Sequence, residues 1–377
     1  MIEDAIAQEQ IPGAVALIAR HGKVAYAKAF GSADPQGTPL ATDAIFRIAS
    51  QTKAITATAV LMLWEEGHFR LDDPVEKFLP EFANAVVLKS YGKDTGRYAT
   101  QPAQNKITIR HLITHNSGLG YGIIDGSSDM KQIYIDAGVT DLFTTQPVIL
   151  ADNIKKLAAL PLHFEPGEKF YYSEGLDVAG RLIEVVSGMS FDAFLRERIF
   201  EPLGMKDTQF YLQTAQEKRL VTVQTKKDGT WVKYTGTEHY DADYPIKGAK
   251  TYFSGGAGLT STVSDYAAFL QMYLNGGEYN GTRLLSRTTI KTIMGHQSDL
   301  NEAAHYGLAF RVVTPEGQNK GGMGSIGTFS WGGYFNTSYF ADPEEGLLAM
   351  IFKQTRGNNG DQTAWKFMQM TFAAIDD

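Results

Sequence analysis

One run of eleven residues, Ala54 to Trp64, constrains this chain more than any other stretch. Ile55, Ala57, Ala59, Val60, Leu61, Met62 and Leu63 leave it almost wholly apolar. It is too short to cross a bilayer, which takes about 20 residues. Its Ala, Leu and Met content predicts a helix that is apolar all round, and hence buried at the centre of a domain. An extended segment, Ala44 to Ile48, leads into it, and Ser50 falls at its first turn. Residues three apart share a helix face, so Lys53 lies beside the Ser50 hydroxyl.

A serine hydroxyl is a poor nucleophile until a neighbouring base takes its proton, and an adjacent amine can do so. The spacing alone says little, because Ser-x-x-Lys also occurs at Ser90–Lys93 and Ser128–Lys131. Those two stand among Gly, Asp and polar residues, which predicts surface loops. Only Ser50 opens a buried helix, and there a catalytic serine outweighs a plain helix cap.

The 377 residues allow two or three domains, or one large one. Apolar content of 43% and charged content of 20% are ordinary for a globular protein with an ample core. Net charge is −7 and no dense basic run is present, which argues against nucleic acid or an anionic membrane as a partner. The absence of Cys removes disulfides, thiol nucleophiles and thiolate-bound metals. The chain opens Met-Ile-Glu-Asp, unlike a signal peptide, so a cytoplasmic protein or an exported one with its leader trimmed is expected. The oligomeric state is left open.

Residues 1–9 predict a short helix, and Ala14–Ala19 and Lys23–Phe30 a hairpin turning at His21-Gly22. A helix is expected from Leu71 to Phe78, an exposed polar stretch over 88–106, and helices over Thr108–Thr114, Leu176–Val186 and Phe191–Ile199. A second hairpin is expected around Asp228-Gly229, and a helix over Val263–Asn275 capped by Ser261 or Ser264. Strands are expected at Tyr306–Val313, Thr328–Trp331, Tyr334–Phe340 and Gly346–Lys353, then a helix at Trp365–Ala374. Strands at both ends and helices between predict an α/β (α+β) architecture. A discontinuous domain (1–75 and 215–377) would hold an antiparallel sheet flanked by helices. A mainly helical domain (76–214) would be inserted in it, with the active site in the cleft between the two.

Two further segments are candidates for chemistry. Tyr172 follows the Pro166-Gly167 turn and precedes a helix, where a side chain can point into a cleft. Trp331-Gly332-Gly333 lies between strand-like runs, where backbone N–H groups can approach a substrate oxygen because no Cβ intervenes. In order along the chain, Phe46–Lys53, Ile107–Tyr121, Pro166–Gly188, Ser254–Leu259 and Trp331–Pro343 resemble the serine β-lactamase and penicillin-binding-protein superfamily. The similarity is greatest to its class-C-like carboxylesterases, the family VIII esterases.

That resemblance implies roles. Ser50 would be the acylated nucleophile, with Lys53 and Tyr172 sharing proton transfer. The N–H groups of Ser50 and Tyr334 would form the oxyanion hole, and Trp331, Gly332, Gly333, Tyr121 and Glu174 would line the substrate site. It implies hydrolysis of a small ester, with amide hydrolysis or acyl transfer as alternatives, and neither metal nor cofactor. A binding module without catalysis is the reading from another class. Two departures stand out. Trp331 replaces the Lys or His that β-lactamases use for a substrate carboxylate, which argues against efficient β-lactam hydrolysis. Glu174 replaces an Asn, and is expected to pair with Lys53. Arg356 is a further candidate for carboxylate recognition. Gly-x-Ser-x-Gly and His-Glu-x-x-His are absent, against α/β-hydrolases and zincins.

Overall fold

In the computed structural model, which describes residues 1–236, 240–321, 324–357 and 360–376, a single eight-stranded antiparallel sheet organises the molecule. Its strands are β1 (Gly13–Arg20), β2 (Lys23–Gly31), β3 (Ser298–Asn301), β4 (Ala304–Tyr306), β5 (Arg311–Val313), β6 (Phe329–Gly332), β7 (Thr337–Asp342) and β8 (Leu347–Phe352). They stand in the order β3-β4-β5-β6-β7-β8-β1-β2, so the N-terminal hairpin closes onto the last strand, with Val15 opposite Phe352. The expected turn between β1 and β2 is present: His21 and Gly22 both take positive φ, the geometry that matches strand twist.

Helices cover both faces. Val15, Leu17 and Ala19 of β1 point to a core shared with α1 (Thr52–Glu65) and α3 (Val263–Leu274). Ala14 and Ala16 point the other way, to the N-terminal helix Ile2–Ala7 and to α4 (Thr363–Ala373) through Ile2 and Phe367. Burial on both faces explains why all of Leu347–Phe352 is buried and reads as a continuous apolar run. Every residue of α1 from Thr52 to Leu63 is buried, as its composition requires. Its polar members find partners both inside and outside the helix: the Thr58 hydroxyl donates back to Ala54 O (2.7 Å), the Thr56 hydroxyl reaches Gly255 O (2.8 Å), and Thr52 Oγ1 accepts from Leu259 N–H (3.1 Å). Residues 76–214 add no strand to the large sheet among the described residues. They supply α2 (Gly175–Ser187), which packs on α1 and is ended by left-handed Gly188.

Several local expectations are corrected. Residues 71–78 form only a 3-10 turn at Val75–Lys77, because Pro74 and Pro80 leave room for one turn. The polar stretch 88–106 is largely a hairpin, Val86–Gly92 with Arg97–Pro102; it is exposed, so no apolar alternation marks it. Ser90 thus lies on a strand, and Ser128–Lys131 in the helix Ser128–Asp136, rather than in loops. Tyr306–Val313 is two strands around a 307–310 turn, and Tyr334 falls in the turn before β7. The second hairpin turns at Asp228-Gly229, but its strands are Gln224–Lys227 and Thr230–Lys233. The cap of α3 is Thr262, whose hydroxyl accepts from Asp265 N at 3.1 Å.

Candidate active site

Ser50 sits in a 3-10 turn, Ala49–Gln51, that runs into α1. From Ala44 to Leu63 it is the one residue that is not buried. Two backbone features aim it outward. Phe46–Arg47 pairs antiparallel with Thr260–Ser261, fixing the entry to the turn. Ala49 takes φ +46, a conformation that costs a residue with a Cβ about 1–2 kcal/mol. Its surroundings hold it there: it is wholly buried among Tyr121, Phe143, Ala257 and Phe335.

Lys53, one turn on, is 1% exposed. Its Nζ donates to the Gly256 carbonyl at 2.7 Å, within the Gly-rich turn Ser254–Gly258. The same nitrogen lies 4.4 Å from the centroid of the Tyr172 ring and 5.5 Å from that of Tyr121. The Tyr172 and Tyr121 hydroxyls have no hydrogen-bond partner among the described residues. Tyr172 is half-buried, its ring held between His115 (4.6 Å between centroids), Tyr121 (5.6 Å) and Trp331 (5.9 Å). The structure therefore brings Lys53, Tyr172, Tyr121 and Trp331 together, one helical turn along the chain from Ser50.

The turn Gly333–Asn336 closes the other side. Gly333 N–H donates to Thr337 O at 2.8 Å and Asn336 N–H to Gly333 O at 2.9 Å. No acceptor among the described residues takes the Tyr334 N–H. A Cβ on Gly333 would lie 2.5 Å from Ile48 O, so the turn lies directly against the backbone that leads into Ser50. On Gly332 the nearest atom would be Thr337 O at an ordinary 3.4 Å, so close packing needs glycine at the second position alone. The Tyr334 ring lies under the Arg356 guanidinium (3.7 Å) and against Phe143 and Tyr240. Thr355 ties Arg356 to this turn, its N–H donating to Phe335 O at 3.1 Å.

Glu174 differs from expectation. It forms no ion pair with Lys53: it is wholly buried, and neither carboxyl oxygen has a hydrogen-bond partner. It cannot touch a substrate in this arrangement. Burial pushes its carboxyl well above the usual range, with Asp141 and Asp177 adding to the shift and Lys53 opposing it. Burial likewise raises the Tyr121 phenol and lowers the His115 imidazole, the latter helped by Lys53. Asp141 is raised to about 6 by burial, although Tyr240 and the Gly122 and Ile123 N–H groups donate to it.

Sequence reasoning missed Gly256, whose carbonyl holds Lys53; the Gly-rich turn was its signal. It missed Asp177, whose Oδ2 would lie 2.5 Å from a Cβ on Gly256. The wall of Phe143 and Tyr240 had no local signal. His111 and His115, four residues apart and so on one face if the helix ran on, are separated because the helix ends at Ile113 and His115 takes φ +59. Among the described residues no three acidic or histidine side chains are grouped to hold a metal, and no helix is long and apolar enough to cross a membrane.

This fold and site define a class. The Beta-lactamase family model matches residues 1–369, and the chain belongs to that family. Within it, the chain is 30% identical to esterase EstB of Burkholderia gladioli, over 94% of this chain and 89% of that one. It is 28% identical to monacolin J acid methylbutanoyltransferase of Aspergillus terreus, over 93% and 88%. Among solved structures, EstCE1, described as a hydrolase with promiscuous acyltransferase activity, superposes with a TM-score of 0.81 at 26% identity, covering 98% of this chain and 95% of the other.

Proposed function

We propose that this protein transfers the acyl group of a small carboxylic ester to Ser50 and then to water, in the cleft where residues 76–214 meet the sheet domain. The Ser50 Oγ attacks the ester carbonyl, and its proton passes to the Lys53–Tyr172 pair. The tetrahedral oxygen, carrying the negative charge, faces the N–H groups of Ser50 and Tyr334. As the carbon–oxygen bond to the alcohol breaks, that alcohol leaves with the proton. Water then adds to the acyl-enzyme, loses its proton to the same pair, and releases the acid and the free serine. The observation that carries the reading is the single opening in a buried run, at Ser50, one helical turn before an amine lying 4.4 Å from the Tyr172 ring.

Transfer to an alcohol instead of water is the second reading. The relatives named above as acyltransferases favour it. Amide or D-peptide hydrolysis and β-lactam hydrolysis rank lower, since Trp331 offers no cation to a substrate carboxylate. A panel of p-nitrophenyl esters, nitrocefin and D-alanyl peptides tests this, with and without an added alcohol. Ester turnover that Ser50→Ala abolishes is expected, with faster nitrophenol release and new ester in the presence of alcohol. Undiminished turnover by Ser50→Ala would overturn the reading.

A further inference from the structure

Behind the Gly256 turn that holds Lys53 lies a set of carboxyls that acyl transfer does not use: Asp177 Oδ2 would lie 2.5 Å from a Cβ on Gly256, and Asp177 N–H donates to Glu174 O at 2.9 Å. Glu174 opens α2, and its N–H donates to Gly120 O at 3.0 Å, which locks the helix start to the loop carrying Tyr121. The groups whose charge reaches its carboxyl are Asp177 from its own helix, Lys53 from α1, Asp125 and Tyr121 from the 119–125 loop, and Asp141 from the next. Tyr134, Tyr240 and Tyr252 complete the surround. Asp125 has His163 against it at 3.0 Å, together with the Tyr171 hydroxyl and two backbone N–H groups. Glu174 has none of these. Asp177 is as deeply buried and equally without a partner among the described residues, whereas Asp141 accepts from the Tyr240 hydroxyl and two backbone N–H groups. An ionised Glu174 would add to the Asp125 and Asp141 carboxylates in a dry region whose nearest cation, Lys53, is already bound to the Gly256 carbonyl.

We propose that Glu174 is a positioning residue: it stands as a neutral carboxylic acid under Lys53, and so leaves the lysine head group without a carboxylate partner, free to exchange protons with Ser50 and Tyr172. Loss of the Glu174 proton at high pH places a carboxylate beside Lys53, draws the head group into an ion pair, and stops acyl transfer. The alkaline fall-off of the reaction therefore belongs to Glu174. This rests on the acyl-transfer reading of the site.

The test is the pH profile of pre-steady-state acylation by a p-nitrophenyl ester. Glu174→Gln, an isostere of the neutral acid, is expected to acylate within about threefold of wild type at neutral pH, as a conservative change away from the reacting atoms should. It is also expected to lose the alkaline fall-off. The infrared difference spectrum, wild type minus Glu174→Gln, should contain the C=O band of a protonated carboxyl, which a purely structural role does not require. Asp141→Asn provides an independent arm. Three donors hold the Asp141 carboxylate; with that neighbouring negative charge removed, Glu174 ionises sooner, and the fall-off moves to lower pH. A hundredfold loss at neutral pH in folded Glu174→Gln, an unchanged alkaline limb, or a fall-off that Asp141→Asn leaves in place overturns the proposal. An absence of any acyl adduct on wild-type Ser50 would instead overturn the reading of the site on which it rests.

Discussion

The two glycines after Trp331 make unequal demands, and the difference can be measured. A methyl on Gly333 would sit 2.5 Å from Ile48 O and 2.2 Å from Thr337 Oγ1. The threonine side chain can rotate, but Ile48 is backbone buried in the core and two residues from Ser50. Relief to ordinary contact requires the turn to retreat by roughly 1 Å, and a misplacement of that size at a reacting centre costs on the order of a hundredfold. That is about 2.7 kcal/mol of transition-state stabilisation, the low end of what losing one oxyanion donor costs. Gly333→Ala is therefore expected to lower kcat about a hundredfold toward a p-nitrophenyl ester. Gly332→Ala, whose methyl meets nothing closer than 3.4 Å, should stay within about threefold of wild type. The assay is steady-state hydrolysis, with thermal unfolding to show that both variants fold. Equal activities for the pair, or a larger loss in Gly332→Ala, would refute the placement of Tyr334 N–H at the reacting oxygen.

Other outcomes follow from single contacts. The Tyr172 hydroxyl has no partner among the described residues, so Tyr172→Phe should leave stability within about 0.5 kcal/mol while kcat falls about 10²–10⁴-fold; urea unfolding and hydrolysis rates check both. Ala49→Val forces a β-branched residue to φ +46 and should cost about 2 kcal/mol or more, whereas Ala49→Gly should stay within about 1 kcal/mol, by the same unfolding assay. Glu174 is held above its ordinary carboxyl value of 4.5, so the unfolded chain releases its proton first. Its contribution to stability therefore declines as pH rises from that value, by about 1.4 kcal/mol per unit until the folded protein also deprotonates. Glu174→Gln should match wild type near pH 4 and be the more stable of the two at neutral pH, read from denaturant unfolding across pH.

Much of this molecule was legible from residues with local rules. The helix at 52–65 needed only its apolar run, and the first hairpin only alternation and His21-Gly22. Ser50 and Lys53 stood out from the two other Ser-x-x-Lys pairs because they enter that buried run. What stayed hidden depends on long-range packing. The Gly256 carbonyl meets Lys53 across about 200 residues of chain because Phe46–Arg47 pairs with Thr260–Ser261, and no local pattern announces that pairing. The Glu174 ion pair was the natural expectation for opposite charges near one site. Burial among other carboxyls outweighs it, because desolvation and repulsion together exceed what one lysine offsets. The 86–102 hairpin was missed because both its strands lie on the surface, without the alternation that burial imposes.

Three serines in this chain precede a lysine by three residues, and only one of them opens a buried helix. Reaction with a fluorophosphonate probe, followed by peptide mass mapping, separates them in one measurement. A single adduct on the peptide containing Ser50, absent in Lys53→Ala, is the expected result. An adduct on the peptides of Ser90 or Ser128, or none on any of the three, would contradict the account.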